Sequence, residues 1–202
     1  MIYPINNESI NFSKSLIDNG EIIVYPTDTL YGFGVDATNS NAINKLNFLK
    51  GRTQPLSIII SNIKDIKKYA LISDEILKNI NKYLPGPYTL LIPKKDSNIS
   101  NLITYGSELI GIRIPKHNFP IKLVEKLNKP IVTTSINKKG SKPLNKTDEI
   151  ENNYPEISIF EDQEQDLIDS IGSTIIKLND NEAYLLRQGD GDFPLWNIPI
   201  KK

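Results

Sequence analysis

The chain has 202 residues and balances 24 basic against 24 acidic side chains, so it is long enough to bury roughly 70% of its unfolded surface and too neutral to hold nucleic acid by bulk charge. With no cysteine and a single histidine, His117, it offers no disulfide framework or thiolate metal site and argues against a His-rich metal centre or a Ser-His-Asp triad. No apolar run approaches the roughly 20 residues of a membrane span, and no basic start followed by an apolar stretch marks a signal peptide, so the expectation is a soluble, cytoplasmic protein. The acidic side chains concentrate in residues 148–169, which leaves room for a local basic surface elsewhere.

Helical spacing predicts a first helix from Glu8 to Asn19, with Ile10, Leu16 and Ile17 inward and Gly20 as a left-handed stop. Glu21-Ile22-Ile23-Val24-Tyr25 then reads as a buried strand that must end at Pro26, which has no N–H to donate. Behind it, Thr27-Asp28-Thr29 places polar side chains at a strand end, and Gly32 and Gly34 free the backbone of the following loop. That is either a polar ligand site or an ordinary capped turn.

Asn39 or Ser40 caps a second helix that runs through Lys50, where Gly51 stops it. Leu56–Ile60 is a strand. Two short helices are expected near Ile63–Ala70 and Ser73–Tyr83, then strands at Tyr88–Ile92 and Leu109–Ile114 stopped by prolines. Pro120–Leu127 is a helix, Ile131–Thr134 a strand opening into a polar loop, and Thr147–Asn153 a short helix. Strands at Ile157–Phe160, Ser173–Leu178 and Ala183–Leu186 finish the chain. Mixing without strict alternation predicts an α/β fold with a twisted mixed parallel and antiparallel sheet flanked by helices and a concave cleft. The expectation is a single domain over 1–202, with a core of about 8–190 and a tail at 191–202.

Four clusters carry chemistry. Lys50-Gly51-Arg52 puts two cations at a helix C-terminus, where they either complement the helix dipole or grip a triphosphate. Arg113 interrupts an apolar strand, so it must pair with an acid or with a ligand carboxylate. Thr133-Thr134-Ser135-Ile136-Asn137 leaves a buried strand carrying hydroxyls and an amide, for phosphate or base contacts or for closing a turn. Gly172-Ser173-Thr174 and Leu186-Arg187-Gln188-Gly189 form the last.

In their order along the chain, Pro-Thr-Asp-Thr-x-Tyr-Gly, Lys-x-Arg, Pro85-Gly86-Pro87-Tyr88-Thr89, Ile112-Arg113-Ile114-Pro115, Ser135-x-Asn137, Ser173-Thr174-Ile175 and Leu186-Arg187-x-Gly189 resemble the YrdC-like threonylcarbamoyl-adenylate synthase family, in its short single-domain form. The resemblance implies a nucleotidyltransferase that makes threonylcarbamoyl-adenylate and pyrophosphate from L-threonine, bicarbonate and ATP. Mg²⁺ would accompany the nucleotide phosphates, with no metal ligand assigned to the protein. The product would pass to the tRNA threonylcarbamoyl transferase machinery. By the same resemblance Thr27, Arg113 and Ser173 would contact threonine, and Lys50, Arg52, Thr133, Ser135, Asn137 and Arg187 would line ATP, with Thr134 as a further candidate and Lys50 and Arg52 as the catalytic cations. The alternatives are an RNA-binding protein (tRNA or rRNA) of the same fold without synthase activity, and a carbamoyltransferase forming another carbamoyl-adenylate; a contact with tRNA or double-stranded RNA is the further partner considered.

The chain departs from the family pattern in places. Only Thr53-Gln54 separate Arg52 from Pro55-Leu56, a shortened loop, so the phosphate grip is expected from Lys50, Arg52, the Ser135–Asn137 loop and Arg187 and not from residues 53–55. A histidine of some relatives would fall near Ile59. The usual Ser-Ala-Asn and Arg-Pro-Gly stand as Ser135-Ile136-Asn137 and Arg187-Gln188-Gly189.

Overall fold

Capping chemistry sets most element ends in the computed structural model, which describes residues 1–192 except Arg52, Lys139, Asp166, Ile168, Asp180 and Asn181, together with the backbone of residues 200–201. After β1 (Ile2–Pro4), α1 (Asn7–Asp18) opens on a reciprocal cap in which Ser9 N–H donates to Asn6 Oδ1 at 2.8 Å and Asn6 N–H to Ser9 Oγ at 2.9 Å. Gly20 follows its end at φ +73°, as expected. β2 (Ile23–Tyr25) stops before Pro26, and β3 (Gly32–Gly34) returns antiparallel to it. Asn39 caps α2 (Ser40–Lys50), which closes on Gly51 at φ +61°.

Beyond it come β4 (Ser57–Ile59), a 3₁₀ turn at Ile63–Asp65 leading into α3 (Ile66–Tyr69), and α4 (Asp74–Ile80) capped by Ser73. β5 (Tyr88–Pro93), β6 (Leu109–Arg113), α5 (Asn118–Leu127), β7 (Ile131–Ser135) and α6 (Thr147–Asn153) follow. The last strands are β8 (Ser158–Glu161), β9 (Thr174–Leu178), β10 (Ala183–Arg187) and β11 (Ile200–Lys201).

The mixed sheet holds. Among the described residues the strand order is β1-β8-β2-β3-β7-β4-β6-β5-β9-β10-β11, with parallel pairs such as β4 with β6 beside antiparallel ones such as β4 with β7. Three strands run against expectation. β3 reads from sequence as a flexible loop, yet Gly34 is glycine because the Tyr25 ring lies across it, and an added Cβ would stand 2.5 Å from Tyr25 Cε1. β1 is too short to show a period, and β11 lies in the expected tail, where it pairs parallel with β10.

Register decides what each face of the sheet does. Residues opposite one another on neighbouring strands share a face. One face therefore carries Ile58, Ile112, Leu90, Ile176 and Val132, which form the larger core with α2, α3, α4 and α6. The other carries Ile59 and Ile131, packed with Ile10 and Ile17 of α1 and Phe119, Leu123 and Val124 of α5. On that second face Thr133 stands opposite Ser57, and Arg113 opposite Ile59. Thr89, Ile175 and Arg187 continue the row outward along β5, β9 and β10. The polar half of this face, past α1 and α5, forms the floor of a cavity.

His117, the residue before α5, is a structural histidine. Its Nδ1 accepts from Phe119 N–H at 3.2 Å, which leaves the proton on Nε2, facing Asp162 Oδ2 at 3.0 Å. Burial pushes its pKa below the usual 6.5, outweighing the opposite pull of Asp162. Folded His117 therefore binds a proton less readily than unfolded His117. Between its folded pKa and 6.5 the unfolded chain carries the extra proton, so stability rises with pH through that window and falls as pH drops through it. Thermal midpoints measured from pH 7 down to pH 5 should fall, and His117→Gln should flatten that slope. An unchanged slope in the variant would assign the effect to other groups.

Candidate active site

The cavity holds about 460 Å³ and is lined from the loop after β2, the approach to β4, and the facing ends of β5, β6, β7, β9 and β10. Its first wall is the turn after Pro26. Thr27 Oγ1 donates to Leu30 O at 2.8 Å and accepts from Thr29 N–H at 3.2 Å, while Gln165 Nε2 donates to Thr27 O at 2.8 Å. These bonds turn Thr29, Leu30, Tyr31 and Gly32 toward the cavity. Thr27, expected to touch threonine, is itself 1% exposed and sits one layer behind the wall. Its hydroxyl is committed to shaping the turn.

Arg113 enters from the end of β6. Its Nη2 donates to Asp28 Oδ1 at 2.9 Å and to Thr29 Oγ1 at 3.1 Å, and its Nε is buried without a partner. The sequence left an acid or a ligand carboxylate as partner of this arginine; the acid is present as Asp28, and a donor remains beyond the pair.

Opposite, Ser173 Oγ lies 2.7 Å from Thr89 Oγ1, and Arg187 donates to Ser173 O through Nε at 3.2 Å and Nη2 at 2.6 Å. Gly172 gives this wall its bend at φ +94°, a conformation that a side chain would strain.

The fourth wall is the end of β7, with Thr133, Thr134, Ser135 and Asn137 all on the lining. Ser135 Oγ donates to Asn137 Oδ1 at 2.8 Å, and Asn137 Nδ2 to Ser141 O at 2.9 Å. Lys50 comes up from beneath. Its ammonium donates to Ser135 O and, at 3.4 Å, to Asn137 Oδ1, and it lies 5.6 Å from the centre of the Phe33 ring. Lys50 is 1% exposed and braces the β7 loop instead of lining the cavity. Its expected partner in phosphate binding, Arg52, lies outside the described residues.

Of the shortened loop, Gln54 and Pro55 line the cavity next to Leu56 and Ser57. The approach to β4 runs straight into the floor because Leu56 N–H is held by Ile103 O at 2.8 Å.

A family model described as telomere recombination, Sua5/YciO/YrdC, matches residues 15–189. The chain belongs to the Sua5/YciO/YrdC family. A Methanocaldococcus jannaschii relative is 34% identical over 215 residues, covering 100% of this chain and 94% of its own. The threonylcarbamoyl-AMP synthase of Pyrococcus abyssi is 31% identical over 189 residues, covering 92% of this chain and 55% of that protein. Against the latter and the Bacillus subtilis enzyme, where 54% is covered, the chain spans little more than half the relative's length. Among solved structures, P. abyssi Sua5 complexed with L-threonine superposes with a TM-score of 0.84 at 29% identity, over 94% of this chain and 57% of that one. Escherichia coli YciO matches with a TM-score of 0.85 over 95% of this chain and 97% of its own, at 22% identity, and speaks for the fold alone.

The electrostatics of this Sua5/YciO/YrdC cavity are one-sided. Its described lining includes Arg113 and Arg187 and no acidic residue. Burial, then the charge of Arg113, hold the Arg187 guanidinium below its usual pKa, with Asp190 acting in the opposite sense. Both remain cations, so an anion in the cavity relieves their repulsion. Its polar side chains are hydroxyls, the amides of Gln54 and Asn137, and guanidinium N–H groups. Among the described residues no cluster of three acidic or histidine side chains could cage a metal. Of the lining groups, the side-chain oxygens of Ser135 and Asn137 have the chemistry to meet a hydrated divalent cation.

The sequence reading gave no ligand role to Thr29, Tyr31, Ser57 and Thr89 of the lining or to Asp28 behind it, although it took Thr27-Asp28-Thr29 as a possible polar ligand site. Asp28 was within reach: Arg113 needed an acid or a ligand carboxylate, and Asp28 sits inside the first motif. Thr89 became visible only through the β5–β9 pairing that sets it opposite Ile175 and within reach of Ser173.

Proposed function

We propose that the chain is an L-threonylcarbamoyl-adenylate synthase that uses threonine, bicarbonate and ATP. The observation that carries this reading is a single cavity with two guanidiniums, a set of hydroxyls and no acid on its described lining, in a chain of this family. Arg113 takes the threonine carboxylate, aided by the hydroxyls of Thr29 and Ser173. The β7 loop with Thr133, Thr134, Ser135 and Asn137, the approach to β4 and Arg187 hold the nucleotide. Thr27 and Lys50 shape the turn and the loop that present these groups, and Arg52 is assigned to the phosphates by its motif alone.

The chemistry asks for little acid–base machinery. The threonine amine and bicarbonate give a carbamate with loss of water. A carbamate oxygen then attacks the α-phosphorus, forming the mixed anhydride as the bond to pyrophosphate breaks. Positioning and positive charge dominate such a transfer. Ser135 and Asn137 would be the oxygen donors beside a Mg²⁺ that accompanies the nucleotide, and the ion would supply positive charge as pyrophosphate leaves. The cytoplasm is the assigned compartment, and the tRNA threonylcarbamoyl transferase machinery the assigned consumer of the adenylate. No helix among the described residues is long and apolar enough to cross a membrane.

Incubating the protein with ATP, Mg²⁺ and bicarbonate, with and without L-threonine, tests the reading. Pyrophosphate release that requires both threonine and bicarbonate is the expected result. Release indifferent to threonine would favour another carbamoyl-adenylate chemistry, and none at all would favour the RNA-binding alternative.

A further inference from the structure

The geometry points to Asp28 as a positioning residue for threonine binding, acting through Arg113 without touching the substrate; this rests on the synthase reading above. Asp28 is a carboxylate with both oxygens committed. Oδ1 accepts from Arg113 Nη2 at 2.9 Å, and Oδ2 from the backbone N–H of Lys116 at 2.9 Å. The two acceptor bonds tie the turn after β2 to the chain leaving β6, and both side chains of the ion pair are only 9% exposed. Arg113 lines the cavity and Asp28 does not.

Three consequences follow from that placement. A long arginine side chain normally loses rotamer freedom when it binds, and one held by a fixed carboxylate has already lost it. With Nη2 occupied by Asp28 and Thr29, the donors left for a ligand lie on the rest of the fork, including the unpartnered Nε. The Asp28 carboxylate also counters part of the charge of Arg113, which shares the cavity with Arg187.

The test is a double-mutant cycle between Asp28→Asn and Arg113→Lys, read by calorimetric binding of L-threonine and of ATP with thermal midpoints alongside. Asparagine must turn its NH₂ toward one of the two donors that Asp28 now accepts from. In the otherwise unaltered protein Asp28→Asn should weaken threonine binding about tenfold, the scale of a lost charged hydrogen bond, and change ATP binding less than twofold. In the Arg113→Lys background the same substitution should cost threonine less than twofold, because the fork it holds is gone. Equal factors in both backgrounds, or parallel losses of threonine and ATP, would overturn the inference and leave a purely structural ion pair. Should Asp28→Asn fail to fold, Asp28→Glu takes its place under the same two criteria. A protein that binds ATP but no threonine before any substitution overturns the synthase reading, and the inference with it.

Discussion

Arg113→Ala is expected to weaken threonine binding about ten- to a hundredfold while leaving ATP affinity within a few-fold, and to lower the thermal midpoint by several degrees. Two effects add. A charge-assisted contact to the substrate carboxylate is worth about 1.5–3 kcal/mol, or roughly ten- to a hundredfold in affinity. The truncation also leaves Asp28 buried with only the Lys116 N–H for a partner. Stranding one member of a buried ion pair costs about 3–5 kcal/mol. Calorimetry with each ligand, and thermal unfolding of the same samples, separate the two. Equal loss of ATP and threonine affinity in a folded variant would refute the division of the cavity into a threonine end and a nucleotide end.

Gly189→Ala should be the most damaging single methyl group in the protein. A Cβ at Gly189 would stand 2.2 Å from Gly172 O and 2.4 Å from the carbonyl carbon of Ser173. Both are backbone atoms of the wall that carries Ser173, so no rotamer change can relieve the contact. The wall carrying Ser173 must move, and with it the carbonyl that Arg187 grips. Overpacking of this kind costs about 1–3 kcal/mol, occasionally more. The expected result is a lower thermal midpoint together with weakened binding of both threonine and ATP, since Ser173 is proposed to serve the first and Arg187 the second. Gly51→Ala is the comparison: it sits at positive φ with open space around it. Its cost should be strain alone, with ligand binding retained. Intact binding of both ligands by Gly189→Ala would show that the walls of the cavity are not held by this close approach.

Several of these outcomes turn on residues whose importance is local and readable. Asn39 and Gly51 bracket α2, Pro26 stops β2, and Gly20 turns out of α1, all as the sequence predicts. Caps, stops and periodicities act over a few residues, so their signals lie side by side in the chain. The motifs were legible for the same reason, since each hangs on the end of one such element. The mixed α/β class and the family followed from them.

The division of labour inside the site was decided by tertiary structure. Thr27 and Thr29 are equivalent by composition, and only the folded turn commits the first to Leu30 O and turns the second to the cavity. Lys50 ends α2 as expected, but the position of β7 sets its ammonium beneath Ser135 instead of in the open cavity. Gln54 and Pro55 join the lining because β4 runs between β6 and β7. Asp28 and Arg113 are 85 residues apart and meet across the sheet. Strand order and register bring such groups together through long-range contacts, and these have no counterpart in the spacing of residues along the chain. The sequence determined which groups are available and on which element ends they stand. Only the packing of the sheet decided which of them face a ligand and which hold the others in place.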